Sequence, residues 1–150
     1  MHFRQWRAVI FMGCLAVQTG SAVAADIETR NVTFAAGTST SSIKDGIKGD
    51  QTVDYLLRAR TGQEMHVKLT TRHKATYFNV LPPGSNDEAI FIGQINGNEW
   101  RGTLPADGEY RVRVYMMRSA ARRNESAAYT LSIGISGVSG DNRHSTNPSR

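Results

Sequence analysis

The sequence predicts an all-β protein, an antiparallel β-sandwich of about eight short strands built as a single domain. Three observations predict it. Four segments alternate apolar and polar residues with period two, the signature of half-buried strands. Clusters of Gly, Pro, Asn and Asp close the segments, as turns require. No sustained helical periodicity follows the first 25 residues.

The chain opens with Met1–Arg7, which carries Arg4 and Arg7 and no acid. Ala8–Val17 is almost wholly apolar, and Ser21-Ala22-Val23-Ala24-Ala25 supplies small residues ahead of Asp26. A basic start, a short apolar run and a small-residue site make residues 1–25 a secretory signal peptide, cleaved after Ala24 or Ala25. The apolar run is far shorter than the roughly 20 residues that span a bilayer, so no membrane insertion is expected. Cys14 is the only cysteine and lies in this segment. Bulky Phe11 and Met12 precede it, so lipidation there is not expected. The exported chain therefore has no disulfide, no thiolate nucleophile and no cysteine metal ligand. Its core alone must stabilise it, which a domain of this size can do by burying roughly two thirds of its unfolded surface.

Beyond the signal, Val32–Phe34 and Ser42–Ile47 are short strand candidates. Val53, Tyr55, Leu57 and Ala59 form the first long alternation, and Met65, Val67 and Leu69 the second. Arg60-Thr61-Gly62-Gln63 between them reads as a hairpin turn. Thr76–Leu81, Ala89–Gly93 and Glu99–Thr103 are further short candidates, with Pro82–Asp87 as a surface loop. Pro105-Ala106-Asp107-Gly108 is a turn, with Pro and Gly where their backbone preferences place them. Tyr110, Val112, Val114 and Met116 give the third alternation, and Tyr129, Leu131, Ile133 and Ile135 the fourth. One domain, 26–137, covers these segments. Residues 138–150 hold Gly, Asp, Asn, Ser and Pro with no apolar run to fold on, so a disordered tail is expected.

Catalytic chemistry is not encoded in any recognisable arrangement. His66 lies on the polar side of its strand, His73 in a Thr-Arg-His-Lys loop and His144 in the tail, with no metal-ligand spacing among them. No nucleophile-elbow serine or phosphate-cradling glycine loop is present, and the carboxylates are scattered singly except for Asp87-Glu88, which sit in a loop and keep it solvated. No catalytic residue, metal or cofactor is assigned. Of the net charge of +5, Arg4 and Arg7 contribute two, leaving +3 on the exported chain. So modest an excess, with few basic–aromatic stretches, argues against nucleic acid as a partner.

One segment is different. Arg118-Ser119-Ala120-Ala121-Arg122-Arg123-Asn124-Glu125 joins the strands at Glu109–Met117 and Ala127–Ser136, and reads as the loop of a long hairpin. Its three arginines stand among small residues that would not shield them. Guanidinium groups grip carboxylates through paired hydrogen bonds, so the loop suits an acidic cleft. Pairing within the molecule, to Glu125 or Asp87, is the alternative.

From Val53 to Gly137 the chain resembles the bacterial periplasmic inhibitors of goose-type (g-type) lysozyme. The resemblance is carried by Tyr55, Ala59, Gly62-Gln63, His66-Val67 and Ala75-Thr76-Tyr77. It continues through Leu104-Pro105-Ala106, Gly108, Tyr110, Arg113-Val114, Arg118, Ala121-Arg122-Arg123-Asn124 and Tyr129. The Leu-Pro-Ala-x-Gly-x-Tyr element also occurs in secreted sandwiches of the pre-peptidase C-terminal type, and the arginine segment in register with it adds specificity. The resemblance implies a periplasmic protein whose partner is a g-type lysozyme. It implies that Arg118, Arg122 and Arg123 face acidic groups of the substrate cleft, that Asn124 bonds cleft backbone, and that Tyr77 or Phe78 supplies an aromatic anchor. Pro82–Asn98 departs from the pattern, and no contact is assigned there. The alternative is a non-catalytic envelope module holding a glycan, a polyanion or another envelope protein.

Overall fold

In the computed structural model residues 27–137 are described. The signal peptide expected at 1–25, Cys14, the tail at 138–150 and His144 lie outside the described residues. The strands are β1 (Ile27–Asn31), β2 (Thr40–Lys48), β3 (Thr52–Ala59), β4 (Glu64–Thr71) and β5 (Thr76–Leu81). They continue with β6 (Phe91–Ile92), β7 (Glu99–Thr103), β8 (Gly108–Met116) and β9 (Ser126–Ser136). Two single helical turns, α1 (Gly93–Asn96) and α2 (Arg118–Arg122), interrupt the series.

The strands form two sheets, one ordered β1-β3-β8-β5-β6 and the other β2-β9-β4-β7. The predicted alternation sets the faces. Val53, Tyr55, Leu57, Phe78, Val80, Tyr110, Val112 and Val114 of the first sheet pack against Met65, Val67, Leu69, Tyr129, Leu131 and Ile133 of the second. Each of these side chains is almost entirely withdrawn from water, so the two inner faces supply the main hydrophobic stabilisation.

Three expectations need correction. First, neither long hairpin exists. β3 and β4 lie in different sheets, as do β8 and β9. Among the described strands every sequential connection crosses between the sheets except β5 to β6. A short Gly-containing turn can bridge the roughly 10 Å between packed sheets as readily as it reverses a chain within one. Second, the first strand is Ile27–Asn31 and not Val32–Phe34. It pairs with β3 in parallel, unlike the antiparallel pairs elsewhere. Val32 and Phe34 instead pack against the core as the chain crosses to β2. Third, Arg118–Arg122 is a turn of helix.

A buried polar contact joins the sheets through the core. The Tyr55 hydroxyl donates to Asp45 Oδ2 at 2.6 Å and lies 2.8 Å from the Tyr129 hydroxyl. Arg30 also donates to the same Asp45 oxygen. Burial raises the pKa of both tyrosines, that of Tyr129 to about 12. Burial alone would raise Asp45, but the Tyr55 and Gly46 hydrogen bonds and the Arg30 charge outweigh it and hold the carboxyl below its usual value.

At the end of the sandwich away from α2, Thr61 N–H donates to Asp107 Oδ1 at 2.7 Å, and Gly62 N–H to Leu104 O at 2.9 Å. Tyr110 Oη closes the adjoining turn on Ala106 O at 2.8 Å.

Candidate functional site

The arginine segment sits at the opposite end, where α2 carries the chain from one sheet to the other. Met117 N–H donates to Ala75 O at 2.8 Å, and Ala121 N–H to Met117 O at 2.9 Å. Ala120 is fully buried and pins the turn to the core, a position only a small side chain could take. Alanine also has the highest intrinsic helix propensity, which favours a turn here over an open loop. Asn124 ends the turn with a φ of 55°, in the left-handed region that Asn tolerates better than most residues. Its N–H returns to Ala121 O at 2.9 Å. Gly49 N–H, from the β2–β3 connection, donates to Glu125 O at 2.9 Å. A Cβ on Gly49 would lie 2.8 Å from Asn124 Oδ1, so the two connections touch.

A chain of polar contacts then stitches three connections together. Arg123 Nε donates to Glu125 Oε1 at 2.5 Å, and the other Glu125 oxygen meets His73 Nε2 at 2.7 Å. His73 Nδ1 is 2.9 Å from Thr76 Oγ1, and Thr76 O accepts from Asn98 Nδ2 at 3.0 Å. The His73 bond, then the Arg123 bond, keep the Glu125 carboxyl below its usual pKa.

The site residues expected from sequence separate accordingly. Arg118 and Arg122 are exposed, and among the described residues neither side chain makes an ion pair or hydrogen bond. Arg123 is exposed but committed to Glu125, the intramolecular pairing weighed from sequence. Asn124 is exposed, and its backbone has a structural task. Tyr77 is half-buried on the outer face of its sheet, beside Tyr115 in register, with its hydroxyl on Lys74 O at 2.9 Å. Phe78 is no surface anchor. It is 0% exposed, and its ring lies 5.0 Å from that of Phe91 in the core. Thr76, Phe78 and Val80 alternate inward along β5, a period that was available in the sequence.

Sequence reading missed what lies beside α2. The β4–β5 connection brings exposed Arg72 and Lys74 to the same end, and β2 ends there in exposed Lys48. His73 is not solvated as expected but is 18% exposed and holds Glu125. Among the described residues, this end thus presents Lys48, Arg72, Lys74, Arg118 and Arg122 as cations without an ion pair, against Asp50 and the already engaged Glu125.

Elsewhere, Asp54 and Arg113 form a bidentate pair at 2.7 and 2.8 Å on the outer face of the first sheet. Open hollows of about 720 Å³ and about 450 Å³ lie beside Arg72 and beside Arg113. Among the described residues no three His, Cys, Asp or Glu side chains converge as metal ligands, and no helix is long and apolar enough to cross a membrane.

No family model matches the chain. Comparison with individual proteins is decisive. The inhibitor of g-type lysozyme of Escherichia coli (strain K12) is 28% identical over 137 residues, spanning 90% of this chain and 99% of that protein. The crystal structure of Aeromonas hydrophila PliG, a periplasmic inhibitor of g-type lysozyme, is 38% identical with a TM-score of 0.68. The match covers 73% of this chain and 97% of that one. Salmonella Typhimurium PliG is 29% identical with a TM-score of 0.59, over 73% and 98% of the two chains. A shared two-sheet architecture at this identity, over nearly the whole of the solved relative, has one consequence: the chain belongs to the family of periplasmic inhibitors of g-type lysozyme.

Proposed function

We propose that this protein inhibits a g-type lysozyme, and that it does so by seating its cationic end in the enzyme's substrate cleft. The observation that carries the mechanism is the exposure of Arg118 and Arg122 on a turn fixed at both ends. A glycoside hydrolase cleaves between carboxyl groups, so its cleft is acidic where substrate must lie. Guanidinium groups held there occupy the substrate's place and neutralise the acid the reaction uses. Arg118 and Arg122 make the carboxylate contacts, Arg72 and Lys74 flank them, and Tyr77 borders the patch. Arg123 acts indirectly, by holding Glu125 and with it the end of the turn. The geometry is a helical turn between sheets, not a two-stranded finger.

An exposed ion pair contributes little, but a desolvated bidentate pair couples by a few kcal/mol. Inhibition therefore depends on the end excluding water when it docks. The test is lysis of a cell-wall suspension by g-type lysozyme in the presence of the purified protein. Lysis should stop at modest molar excess, and Arg118→Ala or Arg122→Ala should each weaken inhibition about tenfold, equivalent to about 1.4 kcal/mol. Arg123→Ala should act less. Undiminished lysis at micromolar excess would sink the proposal. Binding to anionic polymer with no effect on lysozyme would favour an envelope module that holds polyanions, using the hollow between Lys44 and Arg72.

A further inference from the structure

Four large hydrophobic side chains are exposed among the described residues, and three of them, Ile90, Ile92 and Ile95, lie within six positions. Ile95, at the apex of α1, is 75% exposed. Single exposed apolar residues are ordinary, but a cluster of them held rigidly is not required by any fold. This one is held rigidly. Gly97 N–H closes the turn on Gly93 O at 2.8 Å, and Gly93 N–H donates to Asn79 Oδ1 at 3.3 Å. A Cβ on Gly93 would lie 2.4 Å from Phe78 O, so the turn rests directly on the backbone of β5. Its other foot is fastened by Asn98, whose carbonyl accepts from Leu69 N–H at 2.9 Å.

The same Asn98 joins this knuckle to the cationic end. Its side chain donates to Thr76 O, Thr76 meets His73, and His73 shares Glu125 with Arg123. On the outer face, the Gln94 N–H lies beside the Tyr115 hydroxyl, and Tyr115 pairs in register with Tyr77. Hydrogen bonds and strand register thus link the knuckle that carries the isoleucines to Tyr115 and Tyr77 and to the turn that carries the arginines. Cations facing an acidic cleft gain most when an apolar neighbour keeps water out.

We propose that the Ile92–Ile95 knuckle is the apolar anchor of the interface with lysozyme, packing on an apolar wall beside the acidic groove that Arg118 and Arg122 enter. This rests on the inhibitory reading above and adds to it a contact region within Pro82–Asn98, where the sequence pattern assigns no contact. The experiment is binding of the purified protein, with Ile95→Ser and Arg122→Ala variants, to immobilised g-type lysozyme at about 50 mM and about 500 mM salt. Thermal melts verify that Ile95→Ser is folded, as its exposure requires. Ile95→Ser should weaken binding about ten- to thirtyfold at both salt concentrations, mainly through faster dissociation. The Arg122→Ala loss should shrink as salt rises. Wild-type affinity in Ile95→Ser, with Arg122→Ala impaired, would overturn the knuckle alone. Loss of a protein dimer in Ile95→Ser without loss of lysozyme binding would also overturn it, in favour of a second copy as occupant. No binding by the unaltered protein would remove the inhibitory reading and this one together.

Discussion

Tyr77 and Phe78 are adjacent aromatic residues on β5 with opposite environments, and replacing each by alanine tests the orientation of the strand. Phe78 is fully buried, 5.0 Å from the Phe91 ring, which in turn lies 6.0 Å from Trp100. Truncating such a phenylalanine removes its transfer free energy and leaves a cavity, for a loss of about 3–5 kcal/mol. Tyr77 is half-buried and makes one exposed hydrogen bond, to Lys74 O, worth about 1 kcal/mol or less. For a domain of this size a urea dependence of about 1–2 kcal/mol per molar converts the Phe78 loss into a midpoint lower by roughly 1.5–5 M. Trp100 reports the transition, since its ring belongs to the same aromatic row. Phe78→Ala should retain inhibition at temperatures where it is folded, whereas Tyr77→Ala should bind lysozyme less well while remaining stable. A one-residue slip of a strand exchanges its two faces. If Tyr77→Ala proved the destabilising variant and Phe78→Ala the functional one, β5 would face the other way and the inferred border of the site would be wrong.

Two further predictions concern buried polar groups. The Tyr129 pKa of about 12 lies above that of a free tyrosine, about 10, so its contribution to stability is complete below pH 10 and disappears as pH rises toward 12. Asp45, held below a free aspartate, contributes above about pH 4 and ceases to as pH falls through its lowered value. Urea midpoints measured against pH should fall at both extremes, and Tyr129→Phe should flatten the alkaline side. Asp54 is 5% exposed and Arg113 20%, so Asp54→Asn should cost about 2–4 kcal/mol by leaving a half-buried guanidinium without its counter-charge. The double variant Asp54→Leu/Arg113→Met should recover most of that loss in the same denaturation assay. An Asp54→Asn midpoint equal to that of the unaltered protein would show that the pair is solvated.

Period two tells which side of a strand is buried, and on that the sequence was informative from Val53 to Ile133. It does not tell which sheet a strand joins. The turns at Arg60–Gln63 and around Arg118–Glu125 are short and polar, which satisfies a hairpin and an inter-sheet crossing equally, so both were misread as hairpins. Five residues of helix at Arg118–Arg122 are too few to show a period. The arginines themselves were visible as a concentration of one residue type. Arg72, Lys74 and Lys48 were not visible as their neighbours, because the pairing of β5 with β8 and of β2 with β9 spans long stretches of chain. His73 looked solvated for the same reason, since its partner Glu125 is 52 positions away.

That partnership prepares the end of the sandwich for the binding role proposed above. Arginine side chains carry considerable rotational freedom, and ordering them and their backbone on contact would cost affinity. Here the backbone beneath Arg118 and Arg122 is already fixed, by buried Ala120 on one side and by the Glu125 contacts with His73, Arg123 and Gly49 on the other. Arg123 gives up its availability to a partner and in exchange immobilises the turn that carries the other two. A net charge of only +3 on the exported chain creates little long-range attraction, so encounter with an acidic cleft gains little from steering. On the mechanism proposed above, tight inhibition would come from slow dissociation of a preorganised and dehydrated contact, which a turn fixed in this way favours.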